Sequence, residues 1–104
     1  MLESLKNLFR VGPKVEYKEL MKKGAIILDV RSNGEFAGGH IKGAINIPLD
    51  QLNNNLNKLK DKTQTIITCC ASGMRSASAK NILLSKGYTE VYNGGGWYGL
   101  QSKL

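Results

Sequence analysis

Apolar residues gather in four short runs along the chain, with polar or helical stretches between them. Runs of this length, rich in Ile and Val, are typical of buried β-strands. They cover residues 25–30, 44–47, 66–70 and 91–92. Helical spacing of the intervening apolar positions predicts helices near residues 17–23, 50–59 and 75–86. This alternation of strands and helices favours an α/β fold with a parallel sheet.

The composition of the first run indicates how the sheet is covered. Ala25-Ile26-Ile27-Leu28 is continuously apolar rather than alternating, which is typical of parallel strands buried by helices on both faces. Residues 14–16 predict a further short strand at one edge, so we expect about five strands in total.

Helix boundaries are marked by residues suited to capping. Gly24 and Gly87 follow two predicted helices in the manner of C-terminal caps, and Asp50, after Pro48, is suited to an N-cap. Within the helix predicted near 50–59, three leucines keep helical spacing around an asparagine cluster. They are Leu52, Leu56 and Leu59.

The chain contains no internal repeat and no interdomain linker, so we interpret residues 1–104 as a single domain. Residues 1–13 form an N-terminal extension. Its first ten residues place Leu2, Leu5, Leu8 and Phe9 on one side of a short amphipathic helix. This helix is predicted to lie on the domain; docking to a partner is the alternative.

Composition narrows the class of protein. Hydrophobic residues make up 41% of the chain and charged residues 22%, values typical of globular domains. The net charge of +7 favours anionic substrates or acidic partners. The basic residues are spread from Lys6 to Lys103 without a run of five, so nucleic-acid binding is not favoured. The sequence has no apolar stretch of about 20 residues, and therefore predicts no membrane span.

The two cysteines, Cys69 and Cys70, are adjacent. Their Cα atoms are about 3.8 Å apart across one peptide unit, which is short of the usual disulfide range. With one histidine in the chain, Cys and His alone cannot supply a four-ligand zinc site. We therefore expect free thiols, no metal and a cytoplasmic protein. The C-terminal Ser102-Lys103-Leu104 would be a peroxisomal signal only in a eukaryotic cell.

The candidate chemistry lies where the third predicted strand meets a helix, at Cys70. Ligands of parallel sheets bind beyond the carboxyl ends of the strands, and free N–H groups of the loop and first helical turn favour an anion there. The thiolate is the nucleophilic form of cysteine. A helix terminus contributes only about 0.3–1 kcal/mol, less than one pKa unit. Direct N–H bonds and Arg75 are therefore expected to contribute the rest, with Gly73 allowing the loop its turn.

The stretch from Cys70 to Arg75 resembles the active-site loop of rhodanese-like sulfurtransferases, C-x-x-G-x-R. Between its ends lie Ala71, Ser72, Gly73 and Met74, which we identify with the substrate-binding loop. Leu28-Asp29-Val30-Arg31, Glu35-Phe36 and the block from Gly39 to Pro48 are similar to the family's upstream signature, and Gly94-Gly95-Gly96-Trp97 to its downstream one. The resemblance covers about residues 14–98. One departure is Cys69, where the family often has an aromatic residue.

The resemblance implies a fold and an activity. The fold is a central parallel sheet flanked by helices, without metal or organic cofactor. The activity is transfer of a sulfane sulfur from a donor such as thiosulfate, through a Cys70 persulfide, to cyanide, a thiol or a protein acceptor.

Other polar residues near the loop have weaker claims to a role. Strand alternation points Cys69 away from Cys70 and into the core, although a second carrier role is the alternative. Asp29 and Arg31 are candidate supporting residues for which structural pairing is favoured. Trp97 is a further candidate, either at the mouth of the site or packed in the core. His40 is a conceivable general base, but a thiolate needs none.

Two rival functions are kept. A phosphatase or arsenate reductase of related fold would also use a thiolate, backbone N–H groups and an arginine. Resemblance to cysteine phosphatases would require one more residue between Cys70 and Arg75. The second rival is a noncatalytic rhodanese-like binding module, and such modules often lack the cysteine.

Overall fold

The computed structural model describes residues 14–104 of the chain. The strands are β1 (Ile26–Asp29), β2 (Ile45–Asn46), β3 (Ile66–Cys70) and β4 (Val91–Gly96). The α-helices are α1 (Tyr17–Lys22), α2 (Asn33–Ala37), α3 (Met74–Ser85) and α4 (Trp97–Gln101). Two 3-10 helices, Leu49–Asn54 and Leu56–Lys58, connect β2 to β3.

The four strands form one parallel sheet in the order β2-β1-β3-β4. In the central pair Ile26 lies opposite Ile66 and Asp29 opposite Cys69. On the other side of β3, Thr68 lies opposite Asn93 but Cys70 opposite Gly96, so β4 contains one extra residue in between. This irregularity brings the glycine-rich end of β4 beside Cys70.

Apolar side chains pack on both faces of the sheet. One cluster includes Leu28, Leu52 and Cys70, beneath α3 and the 3-10 helices. The other includes Ile27, Cys69 and Leu100, beneath α1 and α4. The predicted α/β class, with helices on both faces, is confirmed, and it explains why β1 is apolar throughout.

The expectation of about five strands was wrong: the described residues contain four. Residues 14–16 pair with no strand and lead directly into α1. The Asn93 carbonyl oxygen of β4 instead accepts a hydrogen bond from the Tyr17 hydroxyl at 3.2 Å. A side-chain contact thus connects this segment to the edge strand.

The helix predicted near 50–59 is two 3-10 helices interrupted at Asn55, and the first begins at Leu49 rather than after an Asp50 cap. The Leu49 N–H donates to the Val30 carbonyl oxygen at 3.1 Å, which ties the first turn to β1. The Asn55 side chain donates to the Gln51 carbonyl oxygen at 2.8 Å. Such local bonds compete with an α-helix.

Other boundaries agree with the predictions to within a few residues, except that β4 continues to Gly96. Gly24 and Gly87 follow α1 and α3 with φ of 94° and 96°, as predicted for C-terminal caps. Helices α2 and α4 were not predicted, since each has only five residues. The amphipathic helix predicted for the first ten residues lies outside the described part of the chain. Within 14–104, no helix is long and apolar enough to cross a bilayer.

Two glycines near the C-terminus allow a test of the packing between β4 and α4. A Cβ at Gly94 would lie 2.7 Å from a Leu100 methyl carbon and 2.9 Å from one of Ile67, whereas a Cβ at Gly99 would meet nothing within 4 Å. We expect Gly94→Ala to destabilise the protein by about 1–3 kcal/mol through overpacking. The matched Gly99→Ala, within α4, should stabilise it by about 0.4–1 kcal/mol. Urea unfolding of both variants measures the difference, and equal stabilities would contradict this packing.

Candidate active site

Cys70 is the last residue of β3, at the carboxyl edge of the sheet. Its residue exposure is 1%. The chain then turns through Ala71, Ser72 and Gly73 before α3 begins at Met74. Gly73 has φ of 105°, a left-handed conformation in which glycine has no Cβ penalty. The turn directs the start of α3 back toward the sulfur.

The turn and the first helical residues surround the sulfur with donors. The Gly73 N–H donates to Cys70 Sγ at 2.9 Å, and the Ser76 N–H donates to it at 3.3 Å. The Ser76 hydroxyl oxygen lies 3.4 Å from the same sulfur. We call this group of donors the cradle. Its two N–H groups can stabilise a sulfur anion without further ordering, and the Ser76 hydroxyl can do so once its hydrogen turns to the sulfur.

The pKa values of the two adjacent thiols are shifted in opposite directions. Burial raises the pKa of Cys70, but hydrogen bonds from Ser76, Gly73 and Ser72 outweigh it, so that the pKa lies below its ordinary value. For Cys69, burial and the nearby Asp29 carboxylate raise the pKa to about 12. Cys69 points into the core on the opposite face, as strand alternation predicted. Only Cys70 is therefore suited to nucleophilic chemistry near neutral pH.

Arg75 is placed differently from the sequence expectation. Its guanidinium forms a two-pronged ion pair with Glu35 of α2, with Nη1 to Oε1 at 2.7 Å and Nη2 to Oε2 at 3.0 Å. Its fork of donors is thus engaged by a carboxylate in this structure. Both side chains remain partly exposed, at 39% and 38%. Because Glu35 offsets the arginine charge, less positive field reaches the loop than the sequence alone indicated.

Glu35 also caps its own helix. Its Oε1 accepts from the Ser32 N–H and hydroxyl, each at 3.0 Å, while Ser32 Oγ accepts from the Glu35 N–H. The Arg75 bond and the Ser32 bonds hold the pKa of Glu35 well below its usual range, at about 2. Glu35 was not among the residues predicted for the site, although Ser-x-x-Glu is a readable capping signature.

Asp29 and Arg31 form a buried ion pair at the end of β1. Arg31 Nη2 lies 2.7 Å from Asp29 Oδ2, and Arg31 also donates to the Gly39 carbonyl oxygen at 2.7 Å. The Trp97 ring packs on the guanidinium, 4.7 Å from ring centroid to Cζ. The structure therefore brings these three residues together. Trp97 belongs to the core cluster opposite Cys70.

His40 lies apart from the cradle. Its ring stacks on Phe36 with 3.7 Å between centroids. Its Nδ1 lies 2.7 Å from the Phe36 carbonyl oxygen, so this nitrogen carries the hydrogen. These contacts attach the ring to α2, and they give it no bond to Cys70.

Ser76 and Asn93 are two buried or half-buried residues that the sequence analysis missed. The Ser76 hydroxyl lies 2.6 Å from Asn93 Oδ1, and Asn93 Nδ2 lies 3.4 Å from the Gly73 carbonyl oxygen. Ser76 follows Arg75 directly, so its place in the first turn of α3 was a readable signal. Asn93 is distant in sequence and carried none.

An open pocket of about 320 Å³ lies next to the cradle. Its lining residues are Val30, Ser32, Pro48, Leu49, Asp50 and Arg75. The Val30 N–H donates to the Cys69 carbonyl oxygen, which places Val30 beside Cys70 in the β1–β3 pair, where strands lie about 4.8 Å apart. The pocket therefore extends from the start of α3 to the strand neighbouring Cys70.

This fold and cysteine loop are those of a known class. The family model of the rhodanese-like domain matches residues 14–103, and the chain belongs to that family. The resemblance seen in the sequence is thereby confirmed.

Individual relatives agree with this assignment. Thiosulfate sulfurtransferase PspE of Escherichia coli K12 is 40% identical over 70 residues, covering 66% of this chain and 67% of PspE. The protein YqhL of Bacillus subtilis 168 is 42% identical over 69 residues, and the match spans 66% of this chain but only 54% of YqhL. The structure of the human single-domain sulfurtransferase TSTD1 superposes with a TM-score of 0.75 at 30% identity, covering 88% of this chain and 96% of TSTD1.

The acidity of the two thiols can be measured by alkylation. We expect iodoacetamide to modify Cys70 with a rate that rises with pH below the ordinary thiol range near 8.5, because the cradle stabilises the anion. Cys69 should stay unmodified in the folded protein. Peptide mass spectrometry after timed quenching at each pH separates the two sites. A Cys70 rate that rises only above pH 9 would contradict the cradle.

The Glu35–Arg75 pair predicts a dependence of stability on pH. The pKa of Glu35 is lowered on folding, so its stabilising effect is present above the unfolded value of 4.5 and is lost as pH falls through about 2. Thermal unfolding of Glu35→Gln, which keeps a capping side chain, should show lower stability than the native protein above pH 4.5. The difference should vanish near pH 2.

Arg75→Gln is the matched variant for that measurement. Once the arginine is absent, Glu35→Gln should have little further effect, since the two charges act as a pair. Additive losses in the double variant would show that Glu35 stabilises the protein independently of Arg75.

Proposed function

We propose that this protein is a sulfurtransferase in which Cys70 carries sulfane sulfur as a persulfide. The observation that supports this most directly is the convergence of the Gly73 and Ser76 N–H groups on Cys70 Sγ. Such donors stabilise the Cys70 thiolate before it attacks the donor, and again when it leaves as the outer sulfur passes to the acceptor. The relatives named thiosulfate sulfurtransferase support the same activity.

In the first step the Cys70 thiolate attacks the outer sulfur of thiosulfate. A bond forms between Sγ and that sulfur, the sulfur–sulfur bond of thiosulfate breaks, and sulfite leaves with the electron pair. No proton has to be removed during the attack, because the thiolate is already ionised. His40, attached to α2, is not needed as a base.

In the second step an acceptor removes the outer sulfur. A thiolate or cyanide forms the new bond to it, and the Cys70 thiolate leaves with the electrons of the broken sulfur–sulfur bond. The same N–H groups then stabilise the returning charge on Sγ. Both half-reactions therefore use one cradle, in opposite directions.

The pocket beside Val30 and Arg75 is the proposed site for donor and acceptor. Its volume of about 320 Å³ is at the low end for ligand pockets and is ample for a small dianion. Arg75 contributes positive charge at its wall, although Glu35 offsets part of it. We assign Ala71, Ser72, Gly73 and Met74 to the loop that positions the outer sulfur.

Phosphate transfer is the less favoured activity. A phosphatase needs the loop N–H groups aimed at the oxygens of a phosphoryl group on the cysteine. In this loop two of them are already directed at Sγ itself, at 2.9 and 3.3 Å. The short spacing between Cys70 and Arg75 agrees with a single sulfur atom as cargo.

The two cysteines provide a matched pair of variants. Cys70→Ser should abolish persulfide formation and sulfur transfer from thiosulfate, because a hydroxyl neither ionises near neutral pH nor holds a sulfane sulfur. Cys69→Ser should retain the transfer, with some loss of stability from a hydroxyl in the core. Intact-protein mass spectrometry with and without thiosulfate detects the one added sulfur, and sulfite release measures turnover.

Circular dichroism establishes that both variants are folded before activity is compared. Transfer by folded Cys70→Ser would refute Cys70 as the carrier. Loss of transfer in folded Cys69→Ser would refute the prediction that Cys69 is not needed for transfer. Hydrolysis of p-nitrophenyl phosphate without any mass increase from thiosulfate would favour the phosphatase, and inactivity in both assays would favour a binding module.

A further inference from the structure

The Ser76 hydroxyl, fully buried, lies among three acceptors. Its oxygen is 2.6 Å from Asn93 Oδ1, 3.0 Å from the Gly73 carbonyl oxygen and 3.4 Å from Cys70 Sγ. A hydroxyl has a single hydrogen to donate. The Asn93 amide oxygen, which is the nearest of the three, and the Gly73 carbonyl oxygen therefore compete with a sulfur anion for that one hydrogen.

The backbone determines which end of the Asn93 amide faces Ser76. The Gly95 N–H donates to Asn93 Oδ1 at 3.0 Å. With the amide reversed, its NH2 group would face this N–H, donor against donor. The oxygen therefore faces Ser76, and Asn93 accepts from the hydroxyl rather than donating to it.

The direction of the bonds depends on the charge of the sulfur. While Cys70 is a thiol, its S–H donates to Ser76 Oγ, and the Ser76 hydroxyl donates to Asn93 Oδ1. A thiolate has no hydrogen and accepts only, so the Ser76 hydrogen must turn from Asn93 to Sγ to stabilise it. A persulfide moves the charge to the outer sulfur, and the hydroxyl returns to Asn93.

We propose that Asn93 is a positioning residue that acts on Cys70 through the Ser76 hydroxyl, by competing with the sulfur anion for its hydrogen. Asn93 holds the hydrogen whenever Sγ is uncharged and loses it whenever Sγ bears charge. This makes Cys70 less acidic than the cradle would allow without Asn93, and it makes the thiolate a stronger nucleophile but a poorer leaving group than a fully stabilised anion. The catalytic meaning rests on the proposed function; the competition itself does not.

Replacing Ser76 or Asn93 by alanine leaves the charged groups around Cys70 unchanged. Arg75 of α3 is paired with Glu35 of α2. The buried Asp29–Arg31 pair lies at the end of β1, next to Cys69. The exposed Asp50 lines the neighbouring pocket. The Ser76→Ala and Asn93→Ala changes, at two uncharged residues, therefore leave this electrostatic field in place.

The test is a double-mutant cycle on the pH dependence of Cys70 alkylation by iodoacetamide. Ser76→Ala removes the donor and should raise the apparent pKa of Cys70 by about one unit. Asn93→Ala removes the nearest competing acceptor and should lower the pKa by a smaller amount, because the Gly73 carbonyl oxygen still competes for the hydrogen. In the double variant the pKa should equal that of Ser76→Ala, because Asn93 has no effect without the hydroxyl.

A rise of the pKa in Asn93→Ala, or an equal shift with and without Ser76, would overturn the proposal. Asn93→Asp provides a second test that keeps the size of the side chain. Its carboxylate is a stronger acceptor, so the pKa should rise, and by more with Ser76 present than with Ser76→Ala. An equal rise in both backgrounds would show only charge repulsion and would refute the route through Ser76.

Alkylation is independent of sulfur transfer, so the two proposals fail separately. The predicted pattern in the cycle without any sulfite release would refute the sulfurtransferase and leave the competition standing. Sulfite release together with additive pKa shifts in the cycle would refute the competition and leave the sulfurtransferase standing.

Discussion

The buried pair of Asp29 and Arg31 is the interaction on which the arrangement of the site depends. An isolated charge in the core would cost several kcal/mol, so each partner requires the other and further hydrogen bonds. Arg31 meets this need by donating to the carbonyl oxygens of Glu35 and Gly39 as well as to Asp29. The pair thereby attaches α2 and the loop after it to the end of β1, and Trp97 covers the guanidinium.

Helix α2 carries this constraint to the cysteine loop. Its Glu35 carboxylate binds the Arg75 guanidinium at the start of α3, and α3 presents the Ser76 N–H to Cys70. A chain of contacts thus leads from a structural ion pair in β1 to the donors around the sulfur. On the other side, the irregular end of β4 brings Asn93 to Ser76. The cradle is positioned from both sides by residues that do not contact the sulfur themselves.

Sheet geometry accounts for the different properties of the adjacent cysteines. Side chains alternate across a strand, so Cys69 enters one core cluster and Cys70 the other. The turn at Gly73 brings the start of α3 over the face of the sheet that carries Cys70, and not over the face that carries Cys69. The same chemical group is therefore desolvated without donors at one position and surrounded by them at the next, which is why the pKa of Cys69 is raised and that of Cys70 lowered.

Local sequence was sufficient for the parallel α/β fold, the position of Cys70 and the opposite direction of Cys69, because strand periodicity and the strand-loop-helix pattern are properties of neighbouring residues. Predictions that depended on local spacing alone were wrong in two places. Residues 14–16 form no strand, and the leucine-spaced segment after Pro48 forms two 3-10 helices instead of one helix. The partner of Arg75 and the contact between Ser76 and Asn93 join residues 40 and 17 positions apart. Only the tertiary structure decided these, since they exist only after separate strands and helices converge on one edge of the sheet.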